Sequence, residues 1–245
     1  KLLPLREEKT RQENLRGSIL LRLAKCGRRI GHYKEALQWI TLLLQDKPMM
    51  IDGQVEAAYI CQAWGAENPK YYIYAIQGGL KGKRKDGQEF QLPIWGWGRM
   101  ARILQRFMTD PRMEAPERQA DKQRYSDYFH EARYNLAICR FEYAKTLSGD
   151  RRANALKQAE EDILIVYRLM PELGGPEWFA KYNDLLKRIQ QTQGKTPTGL
   201  SMPTSPASKP KATTEKSADS DSDFGKPAIP SSKPKATVSA PTASK

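Results

Sequence analysis

Apolar positions along the chain recur at steps of three and four, the spacing of one helix face. Leu20, Leu23, Ala24 and Gly27 mark a first helix, and Ala36, Ile40, Leu43 and Leu44 mark a second after Gly31 and Tyr33. Pro48 stops that second run, because proline cannot continue a helix. Val55, Ala58, Tyr59 and Gln62 predict a third. Asn68-Pro69 opens a fourth, with Tyr72, Ala75 and Ile76 inward, and Gly78-Gly79 ends it. Helix is predicted again over Trp97–Met108, where Met100, Ile103, Leu104 and Phe107 share a face, and Asp110-Pro111 breaks it.

A long helix follows from about Pro116 to Leu147 on Phe129, Ala132, Leu136, Cys139 and Tyr143, and Ser148-Gly149-Asp150 closes it. Ala155, Ala159, Ile163, Val166 and Leu169 predict the next, stopped by Pro171. Gly174-Gly175-Pro176 starts a last helix on Trp178, Phe179, Tyr182, Leu185 and Leu186. No stretch alternates with period two, so no sheet is expected, and the polar, Gly- and Lys-rich Leu80–Pro93 reads as a loop. The fold class is all-α, with about eight helices.

The helices arrive in pairs, which invites a search for repeats. Gly17–Met50 is one 34-residue unit: Leu20, Leu23 and Ala24 on its first helix, Gly31 at the turn, Tyr33 and Ala36 opening the second, Pro48 ending it. Ala159, Ile163, Val166 and Pro171 repeat the spacing of Ala36, Ile40, Leu43 and Pro48, and the Ala-to-Pro distance is 12 residues in both. This pattern resembles a tetratricopeptide repeat. The resemblance is clearest over 17–50 and fair over 131–186, while Gly27 stands where the family usually carries a large residue. It implies antiparallel helix pairs stacked as a right-handed α-solenoid, with a groove that holds peptides or partner helices. Helical phase puts Arg22, Lys25, Gln54, Gln62, Arg133 and Arg140 at candidate groove positions. Arg133 and Arg140, seven residues apart, would present two guanidinium forks suited to the carboxylates of an acidic peptide. Their alternative is pairing with acids of the same helix, Glu131 or Glu142.

Composition divides the chain. From Gly194 to Lys245 there is one aromatic, Phe224, among Pro, Ser, Thr, Ala and Lys. Such a segment buries too little apolar area to offset its ordering entropy. The expected organisation is a helical domain over 1–193 and a disordered tail over 194–245. The tail repeats Ser208–Thr213 as Ser232–Thr237, a composition that resembles linker-histone-like tails. The net charge of +13 divides as +4 on the tail and +9 on the rest. That charge favours acidic proteins, nucleic acid or anionic lipid without choosing among them.

A nucleic-acid alternative rests on Lys81, Lys83, Arg84 and Lys85, followed by Trp95 and Trp97, then Arg99, Arg102 and Arg106 on one helix face. Cations interleaved with aromatics are what phosphate contact and base stacking need. The competing reading places the lysines in a solvated loop and the tryptophans in the core.

The sequence spells no constellation for catalysis. His32 and His130 are far apart and lack ligand-spaced partners, and no GxSxG, HExxH or GxxxxGK[ST] occurs. No enzyme, metal or cofactor is expected. Cys26, Cys61 and Cys139 are scattered, odd in number and lie among apolar residues, so buried free thiols in a reducing compartment are expected. No apolar run approaches a membrane span. The chain begins with Lys1, so a fragment is expected, cytoplasmic by its thiols, with an envelope location as the alternative if a targeting segment lies upstream.

Overall fold

A computed structural model describes residues 3–83 and 87–201 of the chain. Arg84, Lys85 and the tail from Met202 onward lie outside the described residues, and with them the expectation of disorder over 202–245 and the Ser208–Thr213 repeat.

The predicted periodicities become helices α1 (Leu3–Arg29), α2 (Tyr33–Asp46), α3 (Ile51–Gly65), α4 (Lys70–Gln77), α5 (Gly96–Met108), α6 (Gln119–Lys145), α7 (Gly149–Leu169) and α8 (Pro176–Thr192). The stops act locally. α2 ends two residues before Pro48 and α7 two residues before Pro171. Gly175 precedes Pro176 at the first turn of α8, where a missing N–H costs nothing. Two 3-10 turns, Pro111–Glu114 and Pro116–Arg118, lead into α6, and the Asp110 carboxylate caps the first by accepting from the Arg112 N–H.

Leu80–Pro93 corrects the expectation of a plain loop without strands. Strands β1 (Lys81–Lys83) and β2 (Glu89–Gln91) pair antiparallel, with Lys81 opposite Gln91 and Lys83 opposite Glu89. Three residues per strand are too few for alternation to register in sequence. Leu80 and Ile94, at the two ends of the hairpin, are both buried.

Each helix packs on the next in sequence. In addition α1 packs on α3, α3 on α5 and α6, α4 on α6, and α6 on α8. Two apolar cores result. The first joins α1, α2 and α3 through Ala24, Ala36, Ile40, Leu43, Leu44, Ala57 and Ile60, and takes in Leu80 and Ile94. The second runs from α3 to α8, with Trp97, Phe129, Ile163 and Tyr182 among its large members. Leu37, Tyr71 and Tyr74 pack against both.

Ala36 and Ala159, the small residues of the sequence pattern, have no exposed surface. Gly27 explains why a large residue is absent from α1 there. A Cβ on it would lie 3.0 Å from Trp39 and 3.2 Å from the Ala36 methyl. The bulk at this crossing comes from Trp39 on α2, and a side chain on α1 opposite it would press tightly on the indole.

The folded unit also extends past Gln193, the sequence boundary. The Gly199 N–H donates to Gln190, the Leu200 N–H to Asn183, and Tyr167 donates its hydroxyl to the Ser201 carbonyl. Leu200 packs on the second core. A short polar segment gave no periodic signal, yet it answers side chains already displayed by α7 and α8.

Candidate interaction surfaces

The six groove candidates separate into three settings. Gln54 is buried in α3, where its amide nitrogen donates to the Pro48 and Pro93 carbonyls and its oxygen accepts from the Trp95 N–H. It ties the segment after β2 to α3 and offers nothing to solvent. Gln62 is half-buried in a chain of hydrogen bonds between α3, α5 and α6. The Trp97 indole donates to Gln62 at 2.9 Å, Gln62 donates to Asn135 at 3.1 Å, Asn135 donates to the Tyr59 hydroxyl, and Tyr59 donates to Glu131 at 2.6 Å. Burial, then the Glu131 carboxylate, raises the Tyr59 phenol above its ordinary value.

Arg133 and Arg140 do share a face of α6, and α7 covers it. Arg140 reaches Asp162 of α7 at 3.0 Å, with side-chain exposures of 27% and 8%. Its partner thus comes from the neighbouring helix, where the sequence offered Glu131 or Glu142 of its own. Burial lifts the Asp162 carboxyl to about 6, against the pull of Arg140 and Arg133. Arg140 also lines a groove of about 440 Å³ between α4, α6 and α7, where Gln77, Arg151, Asn154 and Gln158 stand among Ile73, Ile76, Tyr143 and Leu147.

Arg22 and Lys25 are exposed on α1. They border an apolar row that includes Leu23, which the sequence pattern groups with Leu20, Ala24 and Gly27 on one face. Leu15, Ile19 and Leu23 are 62%, 49% and 41% exposed, and Ile30, just past the end of α1, is 68% exposed. Cys26 falls in the same row and is exposed too, which corrects the expectation of three buried thiols. Cys61 and Cys139 are buried as expected, and burial pushes the Cys61 thiol up to about 12. The signal for the row was in the sequence: α1 carries apolar residues on two faces, and a partner within the described residues covers only one.

The aromatic half of the nucleic-acid constellation is internal. Trp95 and Trp97 are 4% and 0% exposed and leave no ring face for a base. Lys81 pairs with Glu89 across the hairpin. Of Lys83 only the backbone is described. Arg99, Arg102 and Arg106 are exposed on one face of α5, Arg99 lying over the Trp95 ring at 5.6 Å.

Among the described residues no group of three or more His, Cys, Asp or Glu side chains is arranged to hold a metal ion. His32 is exposed at the α1–α2 turn. His130 is buried against Gly174, and burial lowers its imidazole to about 4. No described helix is long and apolar enough to cross a membrane. No protein-family model, curated protein or solved structure matches the chain.

Proposed function

We propose that the chain is a non-catalytic interaction scaffold that holds a protein partner, built as stacked antiparallel helix pairs similar to tetratricopeptide repeats. The order of helix contacts supports the stacking: each helix meets its successor, and α1–α3–α5 and α4–α6–α8 form two further lines of contact. The buried alanines, each twelve residues before a stopping proline, support it as well. In such an array each pair buries an apolar face against its neighbours.

The observation that carries the binding role is the apolar row on α1, which no other described element covers. Arg28, on the other side of the same helix, is bonded to Glu56 of α3 at 2.6 Å, so the row faces away from the stack. Leucine and isoleucine at 41–68% exposure in one line are a contact surface without its partner. Affinity capture on the full chain, compared with an Ile19→Ser/Leu23→Ser variant, tests the role. At least one captured protein should fall tenfold or more with the variant, and equal recovery of every protein would overturn it.

A second reading, nucleic-acid binding, retains one favouring observation, the exposed Arg99, Arg102 and Arg106 on α5. With Trp95 and Trp97 buried it reduces to phosphate contact. Three such contacts on a single strand would weaken binding roughly twentyfold between about 50 and about 200 mM salt. An Arg99→Gln/Arg102→Gln/Arg106→Gln variant should abolish that slope if the reading holds.

A further inference from the structure

The α1 row has a chemistry that selects its occupant. Ile19, Leu23, Cys26 and Ile30 follow steps of four, three and four, the spacing of a helix–helix seam. Leu15 extends the line by one more turn, so the row runs about 22 Å at 1.5 Å per residue. It is narrow. At 100° per residue, Leu15 to Ile30 occupy an arc of about 80°, close to the strict seam of a coiled coil and tighter than the apolar face of a core helix.

Both borders of the row are basic. Arg22, Lys25 and Arg29 lie along one side and Arg16 along the other, all exposed. From Leu15 to Ile30 the sequence contains five basic residues and no acid. Arg28 is held by Glu56 and Arg16 by Asp46 of α2. Among the described residues no carboxylate pairs with Arg22, Lys25 or Arg29, so one border keeps its full charge. Leu42 of α2, 43% exposed, stands one helical turn before Asp46 and so flanks the Arg16 border. An occupant therefore meets apolar side chains from α1 and α2 together.

Resting on the scaffold reading, we infer that the α1 row docks an amphipathic helix of a partner protein, about four turns long, with an apolar seam bordered by Glu or Asp. Two other occupants fit less well. A second copy packed antiparallel would set the unpaired Arg22, Lys25 and Arg29 border against itself, and like charges across a seam select against pairing. A lipid surface favours a broad apolar face with Trp or Phe at its edge, whereas the α1 row spans only about 80° and holds no aromatic.

The test is a displayed library of helical peptides, with Leu at the seam positions and Glu, Gln or Lys at each flanking position, selected on the full chain. Flanks enriched in Glu are expected. The best peptide should bind Ile19→Ser/Leu23→Ser at least tenfold more weakly. Arg22→Glu/Lys25→Glu should reverse the preference toward Lys-flanked peptides. All four positions are exposed, so unchanged melting of both variants is expected and is measured alongside. Enrichment of Lys, absence of any flank bias, or binding indifferent to Ile19 and Leu23 would overturn the inference. So would anionic phosphatidylserine vesicles that sediment the chain through these two residues, or a dimer in sedimentation equilibrium that the Ile19→Ser/Leu23→Ser change dissolves. If natural capture depends on Ile19 and Leu23 while the library shows no acidic bias, the partner chemistry fails and the scaffold role stands. If neither responds, both fall.

Discussion

Arg140 of α6 and Asp162 of α7 lie 3.0 Å apart, on the α6 face that also carries Arg133. Their closeness does not make the carboxylate easy to ionise, because the desolvation of a side chain only 8% exposed outweighs the two cations. Asp162 therefore titrates near 6, well above the ordinary 3.8. An acid raised in the folded state binds its proton more tightly there than in the unfolded chain. The stability it contributes is full below 3.8 and is lost as pH rises through 6. Relative to Asp162→Asn, the parent chain should lose up to about 3 kcal/mol between these limits. Urea denaturation of both proteins at several pH values from 4 to 7 measures it, and a difference that grows in the parent's favour with rising pH would contradict it.

His130 should act with the opposite sign. Its imidazole is 1% exposed and lowered from 6.5 to about 4 by burial. A Cβ on Gly174, whose φ is +77°, would come within 2.6 Å of the ring, so the ring lies directly on backbone that only glycine leaves open. The unfolded chain takes up the proton first as pH falls. The stability His130 contributes is present above 6.5 and lost through 4, up to about 3 kcal/mol. In the parent chain the two groups offset each other between pH 4 and 6. His130→Phe should flatten the loss on the acid side, read in the same pH series.

The Trp97–Gln62–Asn135 chain predicts a coupled cost. Gln62→Ala leaves the indole N–H and the Asn135 oxygen without their partner and should cost about 1–3 kcal/mol. Adding Trp97→Phe to Gln62→Ala should cost less than the two separately, since the donor is already stranded. A double-mutant cycle by urea denaturation decides it, and strict additivity would mean the bond contributes nothing.

At the α1–α2 crossing, Ala36→Leu should cost about 1–3 kcal/mol through overpacking, because Ala36 has no exposed surface and Gly27 lies close to it and to Trp39. Gly27→Leu should behave likewise, and the pair should be non-additive. Thermal melting of the three variants is the measurement.

Chains ending at Gln193 and at Ser201 should differ in stability by about 1–2 kcal/mol, the second keeping Leu200 on the core and the bonds to Gln190 and Asn183. Equal urea midpoints would show that residues 194–201 add nothing to the fold.

By itself the sequence determined what is local. Helix periods, the stops at Pro48 and Pro171 and the turn at Gly31 follow from backbone chemistry and 3.6-residue spacing, which need no partner to act. The close-packed Ala36 and Ala159 were legible in the same way, since a small residue repeated at one phase has few other uses. Only the tertiary structure decided which face of a two-sided helix is covered. α1 carries apolar residues at Leu20 and Ala24 on one side and at Ile19 and Leu23 on another, and three-four spacing groups Leu23 with the first side. The polar positions were ambiguous for the same reason. Gln54 and Gln62 share a surface-like composition with Arg22 and Lys25, but their amides each found matching donors and acceptors across helices, which makes burial tolerable. Whether such partners stand at hydrogen-bonding distance is settled by contacts up to 73 residues apart in the chain, and no local pattern encodes them.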